Sequence, residues 1–377
     1  MRWPKTSIES VRPSRFHPPF CPWLECATHR SARARFQGHG SYRTRFSCRR
    51  IPRFRCTSCR HTCSRQTFST TYYLKKPRLL VGVAAGLAAC SAQRQIARSL
   101  RCAKTSVTRL AERLGRHAIL FQARCLRGLA ADEPVVHDHF ETFVGRQDRA
   151  LGIGTAVGSK SWFVYDVDPA PHRGSGRQFD RKPEMTKDSP SSPYVQSIKR
   201  TFSGLIERIS GSRNLTFIVD GRADYTRAVR DRALSGRVAL RVFPNPKRGP
   251  KGSPRSEEAI ARDRAMFPVD QLHQLLRHTC SDHKRETIAF GRRLESILGR
   301  AHLMAVWKNF IKSRSERAPD RSTPAMRLGL ARDPWTWGWI LSRRLFPSRE
   351  PVTDVALKLY GKRWSAGLPE LAARHAG

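Results

Sequence analysis

The sequence predicts an α/β domain that is preceded by a cysteine-rich module and a helical segment and followed by a helical extension. Three observations support this prediction. Six of the ten cysteines lie between Cys21 and Cys63, amphipathic helix patterns follow, and strand-like apolar runs alternate with helix patterns from Val135 onwards. The predicted boundaries are 1–73 for the cysteine-rich module, 74–128 for the helical segment, 132–300 for the α/β domain and 301–377 for the extension.

The charge of the chain points to a polyanionic partner. Its 377 residues include 71 Lys and Arg against 30 Asp and Glu, a formal net charge of +41. This is far more than solubility needs, and it favours a nucleic acid whose phosphates the cations neutralise with release of counterions. The alternative is an arginine-rich composition from a GC-rich genome, without a dedicated ligand.

No segment of the sequence predicts a membrane span. The longest apolar run, Leu79 to Cys90, has 12 residues, whereas a spanning helix needs about 20. The Arg- and Pro-rich N-terminus has no apolar core of a signal peptide. In a long chain without such a signal, clustered cysteines favour metal binding over disulfides. We therefore expect a cytoplasmic protein with no membrane partner.

Two close pairs of cysteines, Cys21 with Cys26 and Cys56 with Cys59, are separated by 29 residues. Each pair can present two thiolates from one turn, and two such turns complete a tetrahedral Zn²⁺ site of the zinc-ribbon type. The first pair encloses four residues, where two are usual. Cys48 or Cys63 leaves another set of four open, as does a degenerate module that holds no metal.

The same module has a strongly basic surface. Residues 1–73 carry 15 basic and 2 acidic side chains, and aromatic residues alternate with the basic ones between Tyr42 and Tyr73. A small β-rich module of this kind is expected to grip the DNA backbone. Alternatively, the aromatic residues form only its core.

Three helix patterns follow the cysteine-rich module. The first two cover Leu79–Ala89 and Gln93–Leu100, and the third begins after Lys104. Ser91 and Thr105 are expected as N-caps of the second and third helices.

The third helix pattern has one apolar and one polar face. Its apolar residues recur at i, i+3, i+4 and i+7: Val107, Leu110, Ala111 and Leu114. Lys104, Thr108 and Arg109 would then point outward, where the recognition helix of a helix-turn-helix contacts the major groove. An ordinary helical bundle is the alternative.

From Val135 onwards the pattern is typical of an α/β domain. Strands are predicted at Val135–Asp138, Leu151–Val157, Trp162–Val167, Leu215–Asp220 and Val238–Val242. Helices are predicted at Tyr194–Ile209 and Ala223–Leu234, and Pro169–Pro193 reads as a loop. Three strands, then alternating helix and strand, then an acidic helix, is the order of a ribonuclease-H-like fold.

Three acids occupy particular places in this pattern. Asp138 and Asp220 each close an apolar strand, and Asp270 lies at the head of a helix pattern that reaches Arg277; the spacings are 82 and 50 residues. Carboxylates gathered inside a cationic protein predict a divalent-metal site that works on a polyanion.

Several motifs support a family resemblance. They are Cys56-Thr-Ser-Cys59 running into Thr67-Phe-Ser69, Asp138-His-Phe-Glu-Thr-Phe-Val-Gly145, Val219-Asp-Gly221 with Tyr225, Arg285-Glu-Thr-Ile-Ala-Phe-Gly-Arg-Arg293, Trp307-Lys-Asn-Phe310 and Thr323-Pro-Ala-Met326. With them the chain resembles bacterial insertion-sequence transposases of the DDE superfamily, in the branch with an N-terminal zinc ribbon and helix-turn-helix. The resemblance covers about residues 20 to 345.

The third acid departs from the family pattern. The family places a Glu, followed seven residues later by Arg, some sixteen residues before the R-x-T-I motif. Asp270 occupies that position here, with Arg277 seven residues on, and a helix puts positions seven apart on nearly the same face. Glu286 is the alternative third acid, or else a surface charge on a basic helix.

The resemblance implies phosphoryl transfer with two Mg²⁺ or Mn²⁺ ions about 4 Å apart. Asp138 would bridge both ions, Asp220 would bind one and Asp270 the other. Arg277, Lys284 and Arg285 would neutralise developing phosphate charge or, alternatively, only contact the backbone. Cleavage at terminal inverted repeats and strand transfer into target DNA follow, by a homodimer or larger oligomer on double-stranded DNA in the bacterial nucleoid.

The sequence leaves other functions open. The chain is alternatively a catalytically inactive repressor or end-binding protein derived from a transposase, or a nuclease that cuts without joining. The Trp-rich stretch Ala301–Phe346 is expected to be a helical cap on the catalytic domain, with base stacking as its alternative role.

Overall fold

The computed structural model describes residues 16–31, 33–44, 47–172, 192–210, 214–246, 250, 254–284, 286–287, 289–317 and 319–363. The chain divides into two units, one of Met1–Leu80 with Ile340–Arg349 and one of Val81–Trp339 with Glu350–Gly377. In the described stretches, none of the helices combines the length and the apolar character that a membrane crossing requires.

The first unit is built on a three-stranded antiparallel sheet. Its strands, in the order β1-β2-β3, are β1 (Phe36–Thr44), β2 (Ser47–Cys56) and β3 (Thr62–Ser64). The β1–β2 hairpin pairs Phe36 with Cys56 at its open end, and β3 pairs Cys63 with Phe54. The turn between β2 and β3 therefore contains both Cys56 and Cys59.

Aromatic rings form the core of the first unit. Phe20 makes edge-on contacts with Phe68 and Phe346, with centroids 5.2 and 5.1 Å apart, and Phe54 packs against the same cluster beside Cys63. Phe54 and Phe68 are thus core residues, whereas Tyr73 is 84% exposed. Phe46 lies outside the described residues.

The second unit begins with three helices, α1 (Leu79–Ala88), α2 (Gln93–Ser99) and α3 (Lys104–Leu126). α1 starts in the last two residues of the first unit. The expected N-caps are wrong. The caps are Ala92 and Ala103, without side-chain hydrogen bonds, because the Ser91 hydroxyl donates instead to the carbonyl of Ala89 and Thr105 lies inside the first turn of α3.

A mixed five-stranded sheet is the centre of the second unit. Its strands are β5 (Val135–Val144), β6 (Arg146–Gly158), β7 (Val164–Pro171), β9 (Leu215–Val219) and β10 (Val238–Val242), in the order β10-β9-β5-β6-β7. β10, β9 and β5 run parallel, while β6 is antiparallel to its neighbours. A separate parallel pair joins β4 (Leu129–Ala130) to β8 (Ile209–Ser210).

The remaining helices are α4 (Pro193–Arg208), α5 (Ala223–Val229), α6 (Glu257–Thr279), α7 (Leu294–Phe310), α8 (Pro324–Arg327), α9 (Trp337–Ile340) and α10 (Asp354–Tyr360). Successive residues of a strand point to opposite faces. Val136 and Ile218 pack with residues of α6 and α7 on one face, and Phe217 stacks on Phe202 of α4 on the other.

The predicted elements are present with changed limits. β5 and β6 are longer than their apolar runs, α5 ends five residues before the predicted limit, and α6 begins well before Val269. The expected loop 169–193 is shorter, since β7 continues to Pro171 and α4 starts at Pro193; residues 173–191 lie outside the described stretches.

Residues of the Trp307–Phe310 motif anchor α7 to the sheet. The Asn309 side chain accepts a hydrogen bond from the backbone N–H of Val164 at 2.8 Å and donates to its carbonyl at 2.9 Å. It therefore satisfies backbone groups on the outer edge of β7, where no further strand pairs among the described residues. Phe310 stacks on Trp335, with centroids 4.5 Å apart, so Trp335 packs against a helix.

Helices α3 and α7 cross where a glycine of each helix meets the other. A Cβ atom on Gly115 would lie 2.8 Å from the Cα of Gly299, whereas a Cβ on Gly299 would lie 3.4 Å from the Cα of Gly115. Both neighbours are backbone atoms, which a rotamer change cannot move. The crossing therefore tolerates a methyl group at Gly299 of α7 much better than at Gly115 of α3.

We expect Gly115→Ala to lower the free energy of unfolding by about 1–3 kcal/mol, because it overpacks this crossing. Gly299→Ala is the matched control and should stay within about 1 kcal/mol of wild type, since the better helix propensity of Ala offsets its milder contact. Urea denaturation of the two variants measures this difference. Equal losses in both would contradict the asymmetric crossing.

Candidate metal centres

The register of two parallel strands brings Asp138 and Asp220 to neighbouring positions. The last pair between β5 and β9 is Val136 with Ile218, and each acid lies two residues beyond it. Because the side-chain period of a strand is two, both acids point to the same face as Val136 and Ile218. Adjacent strands are about 4.8 Å apart, so Asp138, within β5, and Asp220, just past the end of β9, lie side by side on the α6 side.

The chain leaves the sheet directly after Asp220. A Cβ atom at Gly221 would lie 2.8 Å from the Cβ of Pro244, so only glycine allows this close passage. Asp220 itself accepts a hydrogen bond from the backbone N–H of Arg222. The carboxylate is therefore fixed at the strand end before α5 begins.

Helix α6 supplies the third carboxylate. It begins at a Ser256 cap, whose hydroxyl accepts the N–H of Ala259, and it buries Val269 and Leu272 against the sheet. The adjacent Asp270 then reaches the sheet edge. One ligand atom from each of Asp138, Asp270 and His273 lies within 4.8 Å of the other two.

His273 is a member of this group that sequence reasoning missed. Its Nδ1 lies 3.9 Å from an oxygen of Asp138, and its Nε2 lies 2.8 Å from the Thr155 hydroxyl. Burial lowers the pKa of His273 to about 3, so the imidazole is neutral at physiological pH and able to act as a ligand. The signal was its i+3 spacing from Asp270, which shares one helix face.

Arg262 was missed as well, and it is the cation closest to the third acid. Its guanidinium donates to both oxygens of Asp270, at 2.5 and 3.5 Å. The two residues are eight positions apart on α6. Arg277, predicted to face the same site, lies over the ring of Phe140 at 5.7 Å.

Burial and mutual repulsion oppose ionisation of these carboxyl groups. Burial first, then the charge of Asp220, raises the pKa of Asp138 to about 7, and Asp270 adds to this shift while Arg262 opposes it. Burial also raises the pKa of Asp220. A cluster that disfavours its own ionisation is stabilised by cations, as in a divalent-metal site.

The remaining residues predicted for this site are either exposed or not among the described residues. Glu286 and Lys284 are exposed, and among the described residues no group that could hold a metal includes Glu286. Arg285 lies outside the described residues. The geometry thus groups Asp270, rather than Glu286, with Asp138.

The opposite face of β5 is held by the tyrosine of the Val219–Tyr225 motif. The Tyr225 hydroxyl donates to the backbone carbonyl of His137 and contacts its Nδ1, both at 3.0 Å. Both side chains are buried. Tyr225 therefore ties α5, which follows Asp220, to the strand that carries Asp138.

The four predicted cysteines come together in the first unit. Cys21 and Cys59 have sulfur atoms 3.4 Å apart, and Cys26 and Cys56 have theirs 3.9 Å apart; all four ligand atoms lie within 4.8 Å of one another. A tetrahedral ion with metal–sulfur bonds of about 2.3 Å requires sulfur separations of about 3.8 Å. The cluster thus fits a metal ion, and its sulfurs are too far apart for disulfides.

The local environment favours thiolates at two of these positions. Burial opposes ionisation of Cys26, but hydrogen bonds from Thr28 and from neighbouring thiols outweigh it and lower the pKa to about 6. Burial likewise opposes ionisation of Cys56, whose pKa is nonetheless lowered by backbone N–H donors and Thr28. Cys63 packs in the aromatic core instead, and nothing of the Cys48 side chain is described.

Of the three α3 residues predicted to contact DNA, two are exposed and one makes a hydrogen bond within the protein. Lys104 and Arg109 are exposed. Thr108 is half-buried, and its hydroxyl donates to the Gln93 side chain at 2.6 Å. It therefore ties α3 to α2, while the two cations remain accessible.

Comparison with known proteins adds no family to this geometry: no protein-family model matches the sequence, and a search of curated proteins found no match.

Because the pKa of Asp138 is raised in the folded protein, we expect its contribution to the free energy of unfolding to depend on pH. Between pH 4 and 7 the folded state holds a proton on Asp138 that the unfolded state has lost, so the contribution of this group to stability falls as pH rises through that window. Without divalent cations, Asp138→Asn should gain about 2–4 kcal/mol over wild type on going from pH 4 to pH 8. Urea denaturation across this range measures it.

Asp333→Asn, at an exposed position, is the control and should show no such trend. A difference between Asp138→Asn and wild type that is constant with pH would contradict the clustered carboxylates.

Proposed function

We propose that the chain is a DNA transposase with a ribonuclease-H-like catalytic domain. The observation that supports this most is the source of the three carboxylates: the central strand β5, the end of its parallel neighbour β9, and the later helix α6. The sheet order, with β6 as the antiparallel strand, agrees with this fold. These are also the places where the transposase resemblance expects its acids.

The proposed chemistry assigns roles to the residues of this site. Two Mg²⁺ or Mn²⁺ ions bound by Asp138, Asp220 and Asp270 would activate the attacking oxygen and neutralise the scissile phosphate. His273, whose Nδ1 lies 3.9 Å from Asp138, is a further candidate ligand. Arg262 pairs with Asp270 and orients its side chain.

The remaining modules would bind the DNA. Exposed Lys104 and Arg109 on α3 support the helix-turn-helix proposal, in which α3 enters the major groove. The net charge of +41 supports a duplex partner at element ends and target. Because transposition requires paired ends, we further propose a dimer or larger oligomer on DNA in the bacterial cytoplasm.

A second candidate function is DNA binding without catalysis. The observation that favours it is the ion pair between Arg262 and Asp270, since a cation already occupies the third carboxylate, which is itself Asp where the family pattern has Glu. In this case the protein would bind element ends as a repressor.

Cleavage assays distinguish these candidates. With Mg²⁺ and labelled duplexes from the ends that flank its gene, wild type should nick and join DNA. Asp220→Asn should bind the duplexes with unchanged affinity and lose at least about 10³-fold in rate, because it removes an ion ligand. Asp224→Asn, a nearby acid paired with Arg222, is the control.

Three outcomes would revise the proposal. Binding without cleavage by wild type would leave the repressor, and cleavage without joining would indicate a nuclease. Cleavage by Asp220→Asn at the wild-type rate would remove the carboxylate site from the account.

We also propose that the ion of the four-cysteine cluster is Zn²⁺, which tetrahedral thiolate sites prefer. Cys56→Ser should lower the zinc content from about one per chain to a small fraction and destabilise the first unit. Cys63→Ser changes a buried cysteine of the same unit outside the cluster and should retain zinc. Metal analysis of the two purified variants tests this, and equal zinc loss in both would contradict the assignment.

A further inference from the structure

The first unit contains a cavity of about 690 Å³ between its sheet and the segment that leads to α1. Its lining residues include Tyr42, Arg53, Thr71, Tyr72, Tyr73 and Lys75. Hydroxyl, guanidinium and ammonium groups thus surround an aromatic pair. The cavity is separate from the four-cysteine cluster and from the carboxylate site.

Tyr73 is placed unusually for an aromatic residue. Its side chain is 84% exposed, and its backbone has φ +60°, in the left-handed region that bulky residues avoid. Neither burial nor backbone preference therefore accounts for a tyrosine here. Strained positions of this kind concentrate where a side chain serves a ligand.

The neighbouring Tyr72 supports Tyr73 from below. The two rings have centroids 4.3 Å apart, and the guanidinium of Arg344 lies 4.9 Å from the centre of the Tyr72 ring. Tyr72 is half-buried. The two ring planes are tilted by 56° to one another, and most of the Tyr73 side chain remains accessible to solvent.

The charge around the cavity selects an anionic partner. Residues 16–80 contain 14 Lys and Arg and one acid, Glu25. Arg53 and Lys75 are both exposed at the cavity. A ligand that offers a planar ring to Tyr73 and phosphates to these cations satisfies both features.

We propose that this cavity binds single-stranded DNA by stacking an unpaired base on Tyr73, with Arg53 and Lys75 on the flanking phosphates. Base faces in a duplex are covered by their neighbours, so an aromatic side chain cannot stack on them, whereas single strands bind through such rings and a cationic groove. The site adds to the proposed function a preference for unpaired nucleotides, such as those at frayed or cleaved ends, and it does not depend on catalysis.

The test compares single-stranded and duplex binding in the full chain. Fluorescence anisotropy with a labelled oligo-dT and a matched blunt duplex is measured without divalent cations, so that a failure of cleavage does not affect it. Tyr73→Ala should weaken oligo-dT binding by about 5- to 150-fold and duplex binding by less than about 2-fold. Tyr73→Phe keeps the ring and should retain wild-type affinity for both.

A second comparison tests the phosphate contact. Arg53→Ala should reduce the slope of log affinity against log salt by about 0.7 for oligo-dT. Arg65→Ala removes an exposed cation of the same unit that does not line the cavity, and its slope on oligo-dT should change less.

Photo-cross-linking can also identify the residue that contacts the DNA. Irradiation with an oligo-dT that carries one 5-iododeoxyuridine should cross-link Tyr73, as identified by mass spectrometry. A Tyr73→Ala variant that binds oligo-dT like wild type, or that loses oligo-dT and duplex binding equally, would overturn the proposal. Cross-links confined to other segments would do the same.

Discussion

The parallel pairing of β5 with β9 is the constraint on which the candidate active site depends. It fixes Val136 opposite Ile218, and the period of two then places Asp138 on the same face as Asp220, which follows the end of β9. A shift of one residue in this register would move one acid to the α4 side, away from α6. Tyr225 reinforces the register from the opposite face through its hydrogen bond to His137.

Repulsion among the three carboxylates explains why a positive charge is needed next to them. Three carboxylates at a partly buried sheet edge repel one another, which raises the pKa of Asp138. Arg262 relieves part of this repulsion from within α6 and is bound to only one of the three acids. The first two acids lack a comparable ion pair among the described residues, and divalent ions would supply the missing positive charge.

Much of this arrangement could be predicted from the sequence because it follows local patterns. Apolar runs located the five strands of the sheet, and the spacing of Asp138, Asp220 and Asp270 indicated a shared site. The Cys21, Cys26, Cys56 and Cys59 set was chosen over sets with Cys48 or Cys63 from pair spacing alone, and these four sulfurs do converge. Local spacing succeeds here because each pair lies within one turn.

Other features depend on tertiary contacts that spacing does not contain. His273 and Arg262 join the site only because α6 lies across the sheet edge. Thr108 was expected to face DNA, but its hydrogen bond to Gln93 arises from the packing of α2 on α3. The caps at Ser91 and Thr105 failed for a simpler reason: preferred cap residues stood one or two positions from the true helix starts.

The most direct test of a metal-dependent active site is to locate bound Mn²⁺ by anomalous diffraction from crystals soaked in the ion. We expect peaks within coordination distance of Asp138, with Asp220 and Asp270 as further ligands and Arg262 displaced from Asp270. Manganese bound only elsewhere, with the ion pair between Arg262 and Asp270 intact, would contradict a metal-dependent active site at this sheet edge.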